Sequence, residues 1–303
     1  MKTNIFKSLI SQKECPICSC ESLSLSNIFT IHPKSKLKVT LRECISCGHW
    51  WHDPIPKQTV LNALYENGSE YVVPKNYTSS IQEENLTENE PQLFKKIYKD
   101  VALHSSKISS IKNNFNYLEI GVGSGKLFNY FEKKANISFG VEPGSWVLGN
   151  SKKNIVPSIE KLPKDINFDL IIAHDVLEHL TDPIMMLSDL KKTSNEGCII
   201  SCTFPNKDSF KAKIQKEKWH MVRPLGHLHY FSKKSIRIMF EKSEWTILEI
   251  RKCRISENTS IDLIKNFKWS EKNILYRIIK SLLIGQIILG KDQWTVTAIA
   301  KTI

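Results

Sequence analysis

Apolar residues recur along this chain in two rhythms. From residue 116 onward they form short runs, at about 116–120, 137–141, 154–156, 168–173, 197–203, 246–252 and 294–301. Runs of that length, bounded by polar residues or glycine, predict strands buried on both faces. Between them the spacing becomes helical: Leu127, Phe128 and Phe131 follow the first run, and Ser232 stands as N-cap to a helix reaching Lys242. Strands alternating with helices predict an α/β chain with a mostly parallel sheet.

Upstream of residue 116 the pattern changes. Leu37, Val39 and Leu41 alternate with polar residues, which fits a β-hairpin, and Pro54 and Pro56 read as a linker. A short amphipathic helix is expected over 57–66, with Val60, Leu61 and Leu64 on its apolar face. The stretch 67–91 is polar, irregular and carries Tyr71 and Tyr77, and a further helix is expected over about 92–111. Loops of that length in a compact unit are functional or mobile. The chain therefore divides into 1–56, 57–115 and 116–303, the last interrupted by an insertion at about 253–291. A helix from Ile274 is apolar around most of its circumference, with Arg277, Lys280 and Ser281 as a narrow polar stripe. Burial explains such a helix, and a dimer contact or a membrane surface through 274–290 is the alternative. The stretch is short for a bilayer, and the N-terminus lacks a signal-peptide pattern, so a cytoplasmic location is expected.

Charge and cysteines sharpen this picture. The net charge of +12 fits a lysine-rich solvated surface, and it leaves RNA as an alternative partner. Eight cysteines with no export signal point to thiols and metal rather than disulfides. Cys15 and Cys18 form one C-x-x-C knuckle and Cys44 and Cys47 another, which together supply four thiolates for a structural Zn²⁺. Cys20, His49 and His52 are nearby donors read as bystanders, and Cys198 and Cys202 as core residues.

The first apolar run, Tyr117 to Ile120, carries Glu119 and breaks into glycine at 121, 123 and 125 before a helix. Alternate glycines suit a turn that needs positive φ or close backbone approach by a ligand. The second run ends in Glu142, placed for ribose hydroxyls, as in dinucleotide sites. Position 126 is lysine, however, so the dinucleotide glycine pattern is broken. An acid on either side of the turn suits a nucleoside with an amino-acid tail and a sulfonium, which describes S-adenosylmethionine.

With these residues in place, the chain resembles the class I S-adenosylmethionine-dependent methyltransferases, in particular small-molecule members with an N-terminal cysteine ribbon. The resemblance rests on E-I-G-V-G-S-G (119–125), G-V-E-P (140–143), F-D-L-I-I-A-H-D-V-L-E-H-L-T-D-P (168–183) and R-P-L-G-H-L-H-Y-F-S (223–232). It implies a Rossmann-like, doubly wound seven-stranded sheet whose last strand is antiparallel, with a zinc ribbon and a helical lid formed by the loop and helix before residue 115. It also implies cofactor contacts from Glu119, Gly121, Gly123, Gly125, Glu142, Pro143, His174 and Asp175. Ser158 takes the place of the acid or amide common beside adenine. Asp175, Glu178 and His179 look like the E-x-x-E-H of quinone-pathway O-methyltransferases, which in some relatives holds a divalent cation. Here Mg²⁺ is one reading and an ordered cleft wall the other.

The segment 219–231 concentrates histidine, arginine and aromatic residues and is expected to help close the acceptor pocket. His229 or His227 is the expected base, with His179 a further candidate, and Arg223 is expected to meet substrate charge. The expected acceptor is a small molecule such as a sugar or glycan precursor or a quinone-like ring, methylated on oxygen. A zinc-ribbon RNA methyltransferase and a non-catalytic cofactor-binding module are the alternatives.

Overall fold

The computed structural model describes residues 9–21, 23–24, 29–31, 36–66, 97, 114–144, 154–253 and 292–301. The polar loop at 67–91, the helix expected at 92–111 apart from Ile97, and the apolar helix expected from Ile274 lie outside these residues.

The N-terminal part is a small β-structure. It comprises β1 (Leu9–Ile10), β2 (Leu23–Ser24), β3 (Phe29–Ile31), β4 (Lys38–Cys44), β5 (Trp50–Asp53) and β6 (Ile55–Pro56). β4 pairs antiparallel with β2, β3 and β5, and the alternation read at Leu37, Val39 and Leu41 turns all three inward. The proline stretch read as a linker is itself a strand, because β6 pairs with β1. Buried Asp53 fastens the unit, accepting from Arg42 Nε at 2.6 Å, Gln12 N at 2.9 Å and Ser11 Oγ at 3.2 Å. The helix α1 (Gln58–Glu66) follows, burying Leu61 and Leu64.

The remainder contributes β7 (Asn116–Ile120), α2 (Lys126–Glu132), β8 (Ile137–Val141), β9 (Ile155–Val156), β10 (Phe168–His174), α3 (Pro183–Lys192) and β11 (Ser194–Pro205). α4 (Phe210–Gln215), β12 (His229–Tyr230), α5 (Lys233–Lys242), β13 (Trp245–Cys253) and β14 (Gln293–Ala300) complete the described elements. Seven strands form one sheet in the order β13-β14-β11-β10-β7-β8-β9. β7 to β11 are parallel, whereas β14 runs antiparallel to both β11 and β13.

Both sheet faces are covered, as the continuous apolar runs require. Leu118, Ile120, Ile171, Ala173 and Ile200 enter one core, while Tyr117, Leu170, Ile172 and Ile199 enter another with Phe128 and Phe131 of α2. Alternate side chains of one strand point to opposite faces. Burying each of those phenylalanines contributes about 2–3 kcal/mol. Ser232 caps α5, accepting from Ser235 N at 3.0 Å, as its sequence position predicts.

The N-terminal unit packs directly on this sheet domain. β12 pairs with β5, setting His229 opposite Trp51 and Tyr230 opposite Trp50. Ser232 Oγ donates to the Cys47 carbonyl at 2.6 Å, and Lys207 Nζ meets Glu43 at 2.8 Å. Cys15, Ile17, Cys44, Cys47 and Trp51 belong to the same buried cluster as Phe204, Phe231 and Ile236.

Candidate cofactor and acceptor site

The strand order reverses between β7 and β10, so the crevice beyond their C-terminal ends is where an open α/β sheet receives a ligand. The glycine turn lies there. Gly121, Gly123 and Gly125 have φ of 74°, 53° and 75°, a region that side-chain-bearing residues disfavour. A Cβ on Gly121 would also stand 2.7 Å from Val176 Cγ2, so the turn is bare on the side that faces the next motif. Gly125 is the N-cap of α2, which aims helix N–H groups at the crevice.

The acids take up positions around this turn. Glu142, one residue beyond β8, accepts from Gly123 N at 2.9 Å and Gly144 N at 2.8 Å. Burial raises its carboxyl pKa while those two backbone bonds oppose the rise. Glu119 is buried on β7 and accepts the Tyr117 hydroxyl at 2.5 Å. Pro143 follows Glu142, and Ser158 stands just past the end of β9, at the N-cap position of a short 3₁₀ turn but with no side-chain capping bond.

The next group gathers at the end of β10. His174 meets Ser201 Oγ at 3.0 Å, and burial lowers its pKa to about 4. Asp175 has φ of 55° and accepts from Gln293 Nε2 at 2.7 Å and Thr203 Oγ1 at 3.2 Å. Water reaches its surface, yet protein surrounds it in the cleft; that crowding raises the carboxyl to about 6, against the pull of Thr203 and Arg223. The left-handed turn at Asp175 keeps D-x-x-E-H from forming one continuous helix. Glu178 and His179 occupy a 3₁₀ turn (Leu177–His179) instead, and Asp175 is directed to Thr203 and Gln293.

Glu178 is 1% exposed, and burial followed by the Asp175 charge holds its pKa well above the usual range. His179 Nδ1 lies 2.6 Å from the Gly226 carbonyl and 2.9 Å from the Tyr65 hydroxyl. His227 Nδ1 lies 2.8 Å from the Met221 carbonyl. The two imidazole rings meet edge to face at 4.9 Å. Burial lowers the pKa of His179 to about 4, and burial followed by the His179 charge lowers that of His227 well below its ordinary value. Both are neutral at physiological pH. Arg223 is exposed, and its charge is felt at Asp175, Glu178, His179 and His227.

His229 is placed elsewhere. It is fully buried in β12, with Nδ1 3.1 Å from His49 Nε2, and the two rings stack. Burial lowers its pKa to about 4. Tyr65, Gln293 and Val176 were not singled out by sequence reasoning. The contacts of Tyr65 and Gln293 depend on how α1 and β14 dock, and that of Val176 on how the turn after β10 meets the glycine turn; no local pattern signals them.

The four ribbon cysteines converge. Cys15 and Cys47 Sγ lie 3.6 Å apart, Cys18 and Cys44 Sγ 3.5 Å, and all four sulfurs lie within 4.8 Å of one another. Four sulfurs about 2.3 Å from a tetrahedral Zn²⁺ are separated by roughly 3.8 Å, so the cluster fits the ion. The Cys47 backbone N–H already points at Cys44 Sγ, at 3.4 Å. The Cys47 thiol lowers the Cys15 pKa to about 5, and burial raises Cys44 to about 11.

The methyltransferase-domain family matches residues 84–250, more than half of the chain, and the chain belongs to that family of S-adenosylmethionine-dependent enzymes. An uncharacterized protein of Methanocaldococcus jannaschii is 25% identical over 167 residues, which is 54% of this chain and 82% of the relative. An uncharacterized methyltransferase of Schizosaccharomyces pombe is 29% identical over 112 residues, 30% of this chain and 40% of that protein. Among solved structures, the N-methyltransferase NodS of Bradyrhizobium japonicum, in complex with S-adenosyl-L-homocysteine, superposes with a TM-score of 0.44 at 13% identity, over 75% of this chain and 98% of that one. No helix among the described residues is long and apolar enough to cross a membrane.

Proposed function

We propose that this chain methylates an oxygen atom of a small acceptor, such as a sugar or glycan precursor or a quinone-like ring. In this reading Glu119 and the turn at Gly121, Gly123 and Gly125 hold the methionyl end of the cofactor. Glu142 and Pro143 meet the ribose, Ser158 the adenine side, and His174 and Asp175 the floor of the crevice. The cofactor supplies a methyl group on a sulfonium, which leaves as a neutral thioether. Residues 1–56 are the zinc ribbon, 57–115 the lid and 116–303 the catalytic domain.

The residues of the chain then position the acceptor and manage its proton. Arg223 faces the cleft acids and is suited to an anionic part of the acceptor. His227 and His179, neutral and held by backbone carbonyls, each keep one ring nitrogen for a proton or a ligand. His229, stacked on His49, fastens the ribbon to the sheet domain in this reading. The observation that supports the proposal is the close approach of Val176 to Gly121, because Glu178 and His179 follow Val176 by two and three residues. Oxygen acceptors need such a group more than amines do, because a hydroxyl must lose its proton to become a good nucleophile.

The test is incorporation of labelled methyl from S-adenosylmethionine into fractionated cell extract. Label in a small-molecule fraction, released by reagents that cleave methyl ethers or esters, supports the proposal. Label only in a ribonuclease-sensitive fraction, with binding that falls steeply with salt, would replace it with an RNA substrate.

A further inference from the structure

We infer that Tyr117 is a positioning residue for the cofactor, its hydroxyl fixing the Glu119 carboxylate that receives the amino-acid tail of S-adenosylmethionine. The inference rests on the reading above, in which Glu119 meets that tail. Tyr117 Oη donates to Glu119 Oε2 at 2.5 Å, and both side chains are buried. They stand two residues apart on β7 and so share one face of the sheet, just ahead of the glycine turn.

Three observations separate this pair from incidental packing. First, the residues level with Glu119 on the adjacent strands are Gly140 of β8 and Ile172 of β10, and neither brings a side-chain donor. A buried carboxylate is costly without hydrogen bonds, and the phenol is placed to supply one. Second, the Tyr117 ring is clamped. It stacks on Phe131 at 5.0 Å between centroids and lies tilted against Phe128 at 5.9 Å. Both phenylalanines belong to α2, so the helix that leaves the glycine turn also sets the position of the hydroxyl. Third, an O–H···O distance of 2.5 Å belongs to the short, charge-assisted bonds made to an ionised acceptor. Burial and then the Glu119 charge raise the Tyr117 pKa well above its ordinary value, so the proton stays on the phenol.

The benefit is preorganisation. A glutamate that swung freely would have to lose its side-chain freedom when the cofactor bound, and affinity would fall accordingly; the tyrosine imposes that loss beforehand. Phenylalanine would fill the space beside Phe128 and Phe131 equally well, but it would withdraw this donor from Glu119 Oε2. The nucleoside end is held elsewhere, at Glu142 in the same reading, so the effect falls on the tail alone.

The test measures two ligands by calorimetry on the full chain. S-adenosylhomocysteine carries the amino-acid tail, whereas 5′-methylthioadenosine keeps the nucleoside and thioether and lacks the tail. Tyr117→Phe should weaken S-adenosylhomocysteine by about tenfold and methylthioadenosine by less than about twofold. Equal weakening of both would mean a distorted turn and overturns the proposal, as does an unchanged affinity for S-adenosylhomocysteine. Glu119→Gln probes the underlying reading. It should lose S-adenosylhomocysteine selectively, and adding Tyr117→Phe to it should change the ratio of the two affinities no further. If Glu119→Gln leaves that ratio intact, the assignment of Glu119 falls and the role of Tyr117 with it. If Glu119→Gln changes the ratio and Tyr117→Phe does not, the role of Tyr117 falls alone. Should Tyr117→Phe fail to fold, carbon-13 spectra of the tyrosine-labelled parent chain decide. The Tyr117 ζ-carbon is expected to shift with S-adenosylhomocysteine and not with methylthioadenosine; equal movement with both, or none, overturns the role.

Discussion

Glu142 Oε2 accepts the backbone N–H of Gly123 at 2.9 Å, so the acid that ends one strand holds the turn that follows its neighbour. The other carboxylate oxygen takes Gly144 N at 2.8 Å. Glutamine cannot reproduce this, because its amide nitrogen would face a backbone donor. Glu142→Gln is expected to cost about 1–3 kcal/mol of stability. It should also weaken S-adenosylhomocysteine binding at least tenfold, as read by chemical denaturation and calorimetry.

Gly121 is barred from bearing a side chain twice over, by its φ of 74° and by Val176 Cγ2 at 2.7 Å from the Cβ position. Gly121→Ala should destabilise the chain and abolish measurable cofactor binding. Adding Val176→Ala removes the collision but leaves the backbone strain of about 1–2 kcal/mol. The double variant should therefore recover part of the stability lost, and full recovery would show that φ is unimportant.

His52, His174 and His229 are packed in their neutral forms, with burial lowering their pKa values to about 3, 4 and 4. Between these values and 6.5 the unfolded chain binds protons that the folded chain refuses, so their contribution to stability falls as pH drops through that window. For fully buried His229 the loss is about 3 kcal/mol by pH 4. Nitrogen-15 spectra of the histidine rings should show these three neutral at pH 5.5, where exposed histidines are charged.

Removing the zinc proposed for the four cysteines should affect more than the N-terminal unit, since Cys15, Cys44 and Cys47 share a core with Phe204, Phe231 and Ile236. A strong chelator is expected to destabilise the whole chain by about 3 kcal/mol or more. For a protein of this size that lowers Tm by roughly 5 °C in calorimetry. Two separate transitions, with the sheet domain unmoved, would mean that the ribbon is an independent appendage.

The sheet was legible because its strands are buried on both faces and so read as short apolar runs, as Leu170–Ala173 and Cys198–Ile200 do. The glycine turn was legible for a similar reason, since positive φ leaves a compositional trace at 121, 123 and 125. The chemistry of the histidines was not. His227 and His229 are two residues apart in one motif, yet one meets His179 and the other lies under His49. That division is made by β12 pairing with β5, and a two-residue strand has no sequence period to reveal it. The D-x-x-E-H spacing would put its acids and histidine on one face of a helix, but the left-handed backbone at Asp175, which no residue type announces, prevents that helix.

The pairing of β12 with β5 has a further consequence for how the protein is made. His49 leaves the ribosome 180 residues before the His229 it will stack upon. At ordinary elongation rates that interval is roughly 10–35 s, during which one margin of the N-terminal sheet has no neighbouring strand. A newborn chain must carry that open margin safely until its distant complement emerges. Metal captured early by the cysteines, or a chaperone covering Trp50 and Trp51, would protect it over that period.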